Sequence, residues 1–339
     1  MGPSKSHAIV FLSVGTLICC GADRPSSATM ARIREAHLRM LTLDAHVEFD
    51  TRGPRSAAGR AIDPAAMDKG GLDAAVLFVS APGTPPSFEG ITAIKRLIRE
   101  KRDRVGLGLA PEDAYGLEKE GRRTIFLGLG NGEAIGTDLT LLPAFYEQGV
   151  RFLKLRGDSG NAICEERGLS ELGKKVVAEC NRLGLVIDVG GCSARSIADV
   201  LAASQAPVVC SLGAARALCD VPGNLDEAAI VAIAQAGGVV LVPFEARRLV
   251  PPGAARRAGV PDIAAHIGYL TKLAGADGVG LGSCFGGGGG VPGCGDASEV
   301  MSLTLELLRR GVGERDLEAI WGGNVMRVFK RAASLAVER

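Results

Sequence analysis

An α/β fold of the (β/α)8 TIM barrel type is what the sequence predicts, on three grounds. From Met40 onward, short apolar or β-branched runs alternate with amphipathic stretches, as repeated strand-helix units around a parallel sheet require. The 339 residues are long for an ordinary domain, but α/β barrels of this size are built as one unit. Helix punctuation agrees: Ser170 stands before Glu171 and an apolar-periodic run that ends at Gly184, an N-cap and C-terminal glycine pair.

In chain order, the first two runs are Met40 to Asp44 and Ala74 to Val79. The helical segment Ile91 to Arg102 leads to the third run, Thr124 to Gly128, and Asp138 to Gln148 to the fourth, Phe152 to Leu155. Ser170 to Leu183 precedes the fifth run, Leu185 to Val189, and Ile197 to Ala203 the sixth, Val208 to Ser211. Asp226 to Ala236 then leads to Val239 to Pro243, and Ala264 to Ala274 to the eighth run, Gly278 to Gly282. Eight such units close a barrel, with residues 30–339 as a single domain. Barrel chemistry sits at the carboxyl ends of the strands, so residues just after each run are the functional candidates.

Residues 1–29 differ in character. Lys5 precedes the apolar run Ala8 to Cys20, and a small polar stretch, Arg24 to Thr29, follows, which is the layout of a secretory signal. The run is too short to span a bilayer comfortably. If the leader is used, the protein is exported: periplasmic, secreted or lipid-anchored, with Cys19 or Cys20 as the lipid acceptor. Initiation at Met30 would instead leave it cytoplasmic. Contact with a membrane is expected only through such an N-terminal anchor, because the C-terminus has no hydrophobic tail.

With 47% hydrophobic and 23% charged residues the chain can bury a large core, so disorder is excluded. A formal charge of +1 gives no long-range field, and no Lys/Arg cluster is interleaved with aromatics; nucleic acid is not an expected partner. The nine cysteines are scattered, without the dense spacing of a disulfide scaffold or a matched C-x-x-C pair, and read as buried thiols.

Several stretches at the run ends resemble the membrane dipeptidase (renal dipeptidase) family of zinc peptidases. They are Leu43-Asp44-Ala45-His46, the segments Met67 to Ala75 and Asn131 to Gly136, Phe145 to Leu153, Asn181 to Asp188, Ala215 to Asp220 and Gly322 to Val328. They occur in the family's order and spacing from about Met30 to the last helix. The resemblance implies a metallo-dependent-hydrolase barrel that cleaves dipeptides with two zinc ions, which activate a water and polarise the scissile carbonyl. It also implies a homodimer.

What the resemblance implies for the site is loss. The family's His-x-Asp after the first strand reads His46-Val47-Glu48, where glutamate can still ligate zinc. The metal-bridging glutamate falls at Gly130, and the two imidazoles of the second metal fall at Gly191 and Leu212. The histidine that touches the reacting carbonyl falls at Gly157, the arginine for the substrate carboxylate at Gly223, and the metal-ligating aspartate after the last strand at Cys284. A count of the residues themselves agrees: of four histidines, His7, His37 and His266 lie in the leader and in helices, leaving His46 at a strand end.

The expected metal ligands are therefore His46, Glu48 and Cys284, holding no zinc or one zinc ion. No catalytic residue is assigned, and the substrate-binding residues are left open. The expected function is a dipeptidase-family protein with impaired or absent catalysis, keeping a small-molecule or peptide ligand. The alternative is a single-metal hydrolase on the same three residues. The run Gly286 to Gly290 matches no phosphate-binding fingerprint and is read as a loop. Asp44 and Asp188 are read as supporting residues, and Asn324 and Arg327 as barrel-closing contacts.

Overall fold

The computed structural model describes residues 27–49, 63–157 and 161–336. The leader reading falls largely on residues 1–26, which lie outside that set. Eleven strands are formed: β1 Leu43–Phe49, β2 Ala74–Val79, β3 Val105–Leu107, β4 Arg123–Leu129, β5 Val150–Lys154, β6 Cys164–Glu165, β7 Gly168–Leu169, β8 Val186–Asp188, β9 Val209–Cys210, β10 Val239–Val242 and β11 Val279–Leu281. Eight of them, in the order β1-β2-β4-β5-β8-β9-β10-β11, form one parallel sheet. These are the eight predicted runs, and they make the predicted (β/α)8 barrel.

The ring closes between its first and last strands just beyond β11. Cys284 donates its backbone N–H to the carbonyl of His46 at 2.8 Å, and Glu48 donates to that of Phe285 at 2.9 Å. The expectation that strand one ends at Asp44 is corrected: β1 runs to Phe49 and carries His46 and Glu48 within it. Periodicity misses this because β1 takes three steps from Asp44 to Val47 while β2 takes two, Ala75 to Leu77, a bulge that breaks the strand's regular pattern. Sequence reading also missed β3, a three-residue strand that pairs with the first half of β4 before β5 takes over that edge. The helix expected over Ile91 to Arg102 spans Thr84–Glu100, since Pro85 and Pro86 sit in its first turn, where a missing N–H costs nothing.

Two cores result. One lies between the sheet and the surrounding helices; the other fills the barrel with Leu43, Val76, Phe78, Phe126, Phe152 and Leu241. The helix Asn324–Ala333 plugs the amino-terminal end, its Phe329 ring 5.3 Å from Phe152 and 5.5 Å from Phe126. Asn324 donates its amide to the carbonyls of Ala276 and Val279, and Arg327 its guanidinium to those of Gly237 and Asp277. Ser170 and Gly184 cap their helix as expected, the hydroxyl accepting from Gly173 N–H and Gly184 adopting φ 76°.

Buried His37 holds the first helix to the body. Its Nε2–H donates to the Gly70 carbonyl, so its Nδ1 accepts from the Thr304 hydroxyl, at 2.7 Å. Burial lowers its pKa despite the backbone contacts at Gly70 and Gly71. The unfolded chain therefore takes up this proton before the folded one does. Stability from this contact is present above the ordinary histidine pKa and is lost as the pH falls below it. The stability advantage of wild type over His37→Asn should accordingly shrink from pH 7 to pH 5 in denaturant titrations. Asn324→Ala, which removes the donor to one buried carbonyl and one half-buried carbonyl, should cost about 1–3 kcal/mol in the same measurement.

Candidate active site

A cavity of about 370 Å³ opens at the carboxyl ends of the strands. Its walls include Glu48 on β1, Ser80 after β2, Asn131 after β4, Lys154 ending β5, Glu245 after β10 and Cys284 after β11. Bonded to Glu48 beneath the cavity floor, His46 is fully buried and stacked on Phe78 with ring centres 4.5 Å apart. Glycine makes this floor possible: a Cβ on Gly282 would come within 2.8 Å of the His46 Cβ, and one on Gly128 within 2.6 Å of the Phe78 ring.

His46 and Glu48 are bonded to each other, Nε2 to Oε1 at 3.0 Å, while Ser80 donates its hydroxyl to Glu48 Oε2 at 2.5 Å. Burial works against the Glu48 carboxylate, but the His46 hydrogen bond and charge, the Lys154 charge and the Ser80 hydroxyl together hold its pKa below the ordinary value. His46 Nδ1 has no hydrogen-bond partner and faces Asp188 Oδ2, likewise unbonded, at 3.8 Å. Cys284 donates its N–H across the ring seam, and burial raises its thiol pKa far above the usual range, with Glu245 and Glu48 adding to it.

Asp44 and Asp188 serve the framework. Asp44 accepts from the hydroxyl and N–H of Ser283 and from the N–H of His46, tying β1 to the segment after β11. Burial pushes its carboxyl up to about 6 against the pull of those hydrogen bonds. Asp188 accepts from the N–H groups of Gly190 and Ser211. The glycine run after β11 is a close-packed turn: a Cβ on Gly289 would meet the Ser283 carbonyl at 2.0 Å. Cys164 and Cys192, from the segments after β5 and β8, approach to 2.7 Å between sulfurs. Sequence reading missed Cys164, because nothing local marks a pair 28 residues apart.

Four glycines stand where functional side chains were expected, and neighbours occupy three of those places. A Cβ on Gly130 would lie 2.0 Å from Ser80 Oγ, one on Gly157 2.5 Å from Asn131 Nδ2, and one on Gly223 2.7 Å from Arg248 Nη1. Gly191 alone of the four has nothing nearer than 3.7 Å.

The sequence profile of the membrane dipeptidase family (peptidase family M19) matches residues 20–339. The chain belongs to the membrane dipeptidase family. Dipeptidase 3 of Rattus norvegicus is 33% identical over 231 residues, which cover 64% of this chain and 47% of that protein. An uncharacterised dipeptidase of Schizosaccharomyces pombe is 30% identical over 268 residues, 74% of this chain and 64% of that one. The chain thus spans about half the length of the mammalian relative. Among solved structures, the probable dipeptidase PvdM from Pseudomonas aeruginosa gives a TM-score of 0.82 at 25% identity, covering 91% of this chain and 99% of that one. A Rhodobacter sphaeroides metallo peptidase with a phosphinate mimic of L-Ala-D-Ala gives 0.79 at 21% identity over 86% of this chain and 99% of that one, a likeness of fold alone.

The membrane dipeptidase family is one of metallopeptidases, so the donor set can be tested against its metals. Among the described residues, His46, Glu48 and Cys284 form the one group of three whose ligand atoms all lie within 4.8 Å of one another. Such a set suits one zinc ion with an open position. Among the described residues there is no second group of three such donors. No described helix is long and apolar enough to cross a membrane.

Restoring a side chain at Gly130 forces Ser80 away from Glu48. Gly130→Ala should therefore cost about 1–3 kcal/mol of stability, and much less in a Ser80→Ala background, where the colliding oxygen is gone. Chemical denaturation of the two singles and the double measures this coupling.

Proposed function

We propose that this member of the membrane dipeptidase family has given up two-metal dipeptide hydrolysis and keeps its barrel mouth as a binding site for a small-molecule or peptide ligand. The observation that carries this reading is the donor set: three clustered ligating side chains, with glycine or leucine at the bridging and second-metal positions. A carbonyl polarised by two ions would lose that electrophilic help and the substrate-carboxylate clamp, each worth about 2–4 kcal/mol of barrier. The relatives named as dipeptidases support the family's chemistry as the ancestral one.

A second reading rests on the same cluster. His46, Glu48 and Cys284 would hold a single zinc ion, and a hydrolase of reduced scope would remain. Thiolate ligation requires the Cys284 thiol, now held protonated by burial, to yield its proton to the incoming metal. Elemental analysis of purified protein, with a panel of L,L and L,D dipeptides assayed in added zinc, separates the two. The first reading expects less than about 0.2 zinc per chain and no turnover above background. About one zinc per chain, lost on Cys284→Ala and accompanied by chelator-sensitive cleavage, would establish the second.

A further inference from the structure

Besides Glu48, the cavity is lined by the charged residues Glu133, Lys154, Glu245 and Arg247, none of which the family comparison assigns. Lys154 is the last residue of β5, 5% exposed, on the cavity wall, and its Cα partner across the sheet is Asp188. Its charge acts on Glu48, Cys284 and Cys210. Burying an ammonium is costly unless acceptors meet its N–H groups. Among the described residues no side chain is bonded to the Lys154 ammonium, and its nitrogen is not among the solvent-sealed unpartnered atoms, so the ammonium opens on the cavity.

The surrounding carboxylates are spent elsewhere. Glu48 gives one oxygen to His46 and the other to Ser80. Glu245 gives Oε1 to Arg247 and Oε2 to Arg248. Both oxygens of Asp44 are taken by Ser283, with His46 N–H sharing one of them. Asp188 keeps one oxygen unbonded, but it is turned to the His46 ring. Also on the cavity wall, Asn131 accepts at Oδ1 from the Glu133 N–H and from the Asn161 amide, which leaves its own amide donors to spend. Glu48, Glu245 and Asp44 thus have both oxygens engaged, and none of these bonds is to Lys154.

We infer that the cavity binds a small carboxylate, its oxygens held by the Lys154 ammonium with the Asn131 amide beside it. The lysine supplies the positive charge that metal ions supply elsewhere in the family, so the inference rests on the reading that the two ions are gone. It places the anion contact on β5, away from Gly223, where the family resemblance would have put it. A cavity-facing ammonium on a largely buried side chain gains most from an ionised acceptor, because charge-assisted hydrogen bonds are the strong ones.

Succinate is the probe and succinamide its uncharged counterpart, titrated into the full chain after dialysis against EDTA and followed by calorimetry and by the thermal unfolding midpoint. Succinate should bind and raise the midpoint, and succinamide should do neither. Lys154→Met, which keeps the side-chain stem, should weaken succinate binding by at least about tenfold, and Lys154→Arg, which keeps the cation, by less than about threefold. Circular dichroism of each variant checks folding, and Lys154→Gln replaces the methionine variant should that one fail to fold. Wild type that ignores succinate, or a folded neutral variant that binds as wild type does, overturns the inference. So does binding that vanishes with EDTA and returns with zinc, which would assign the carboxylate to a metal. Two zinc ions in the untreated protein would instead overturn the reading beneath it, whatever the lysine variants do.

Discussion

Closure of the barrel between β1 and the segment after β11 is the constraint on which the rest depends. Three contacts make it: Cys284 N–H on the His46 carbonyl, Glu48 N–H on the Phe285 carbonyl, and the Asp44 carboxylate on Ser283. Each joins residues more than two hundred positions apart, so the loop-closure entropy is large and must be met by burial of the barrel core. In return, the two ends of the chain's functional sequence, His46-Val47-Glu48 and Ser283-Cys284, are pressed against one another. The only cluster of three ligating side chains among the described residues is a product of this seam.

Around the seam, neighbouring side chains occupy the space beside three of the glycines at strand ends. Ser80 stands where a side chain on Gly130 would start, Asn131 against Gly157, and the Arg248 guanidinium against Gly223. Ser80 is bonded to Glu48, Asn131 to Asn161, and Arg248 to Glu245 through Nε, while the Arg248 Nη1 that faces Gly223 has no hydrogen-bond partner. A side chain at any of these three glycines would have to displace its neighbour from close packing.

The backbone nevertheless keeps the geometry of an active-site mouth. Among the described residues, Leu212 and Cys284 are the non-glycine residues with positive φ, 57° and 60°. Both stand at strand ends, at positions where the family resemblance expects metal ligands. A left-handed conformation costs an ordinary residue roughly 1–2 kcal/mol, and such outliers persist where surrounding structure over-determines them. Here the ring seam and the turn over Gly286 to Gly290 do so, Cys284 donating to His46 and accepting from Gly287 and Gly289.

The sequence by itself determined the barrel and the order of its eight strands. These follow from period and punctuation, which are local properties of the chain. The tertiary structure alone decided that His46 and Glu48 lie within β1 and bond to each other, because a bulge hides them from periodicity. It alone decided that Arg248 and Ser80 fill the glycine positions, and that Lys154, one more residue in a β5 pattern by sequence, projects into the cavity, where no described side chain is bonded to it. Such facts depend on which distant side chains share a volume, and a linear pattern carries no information about volume.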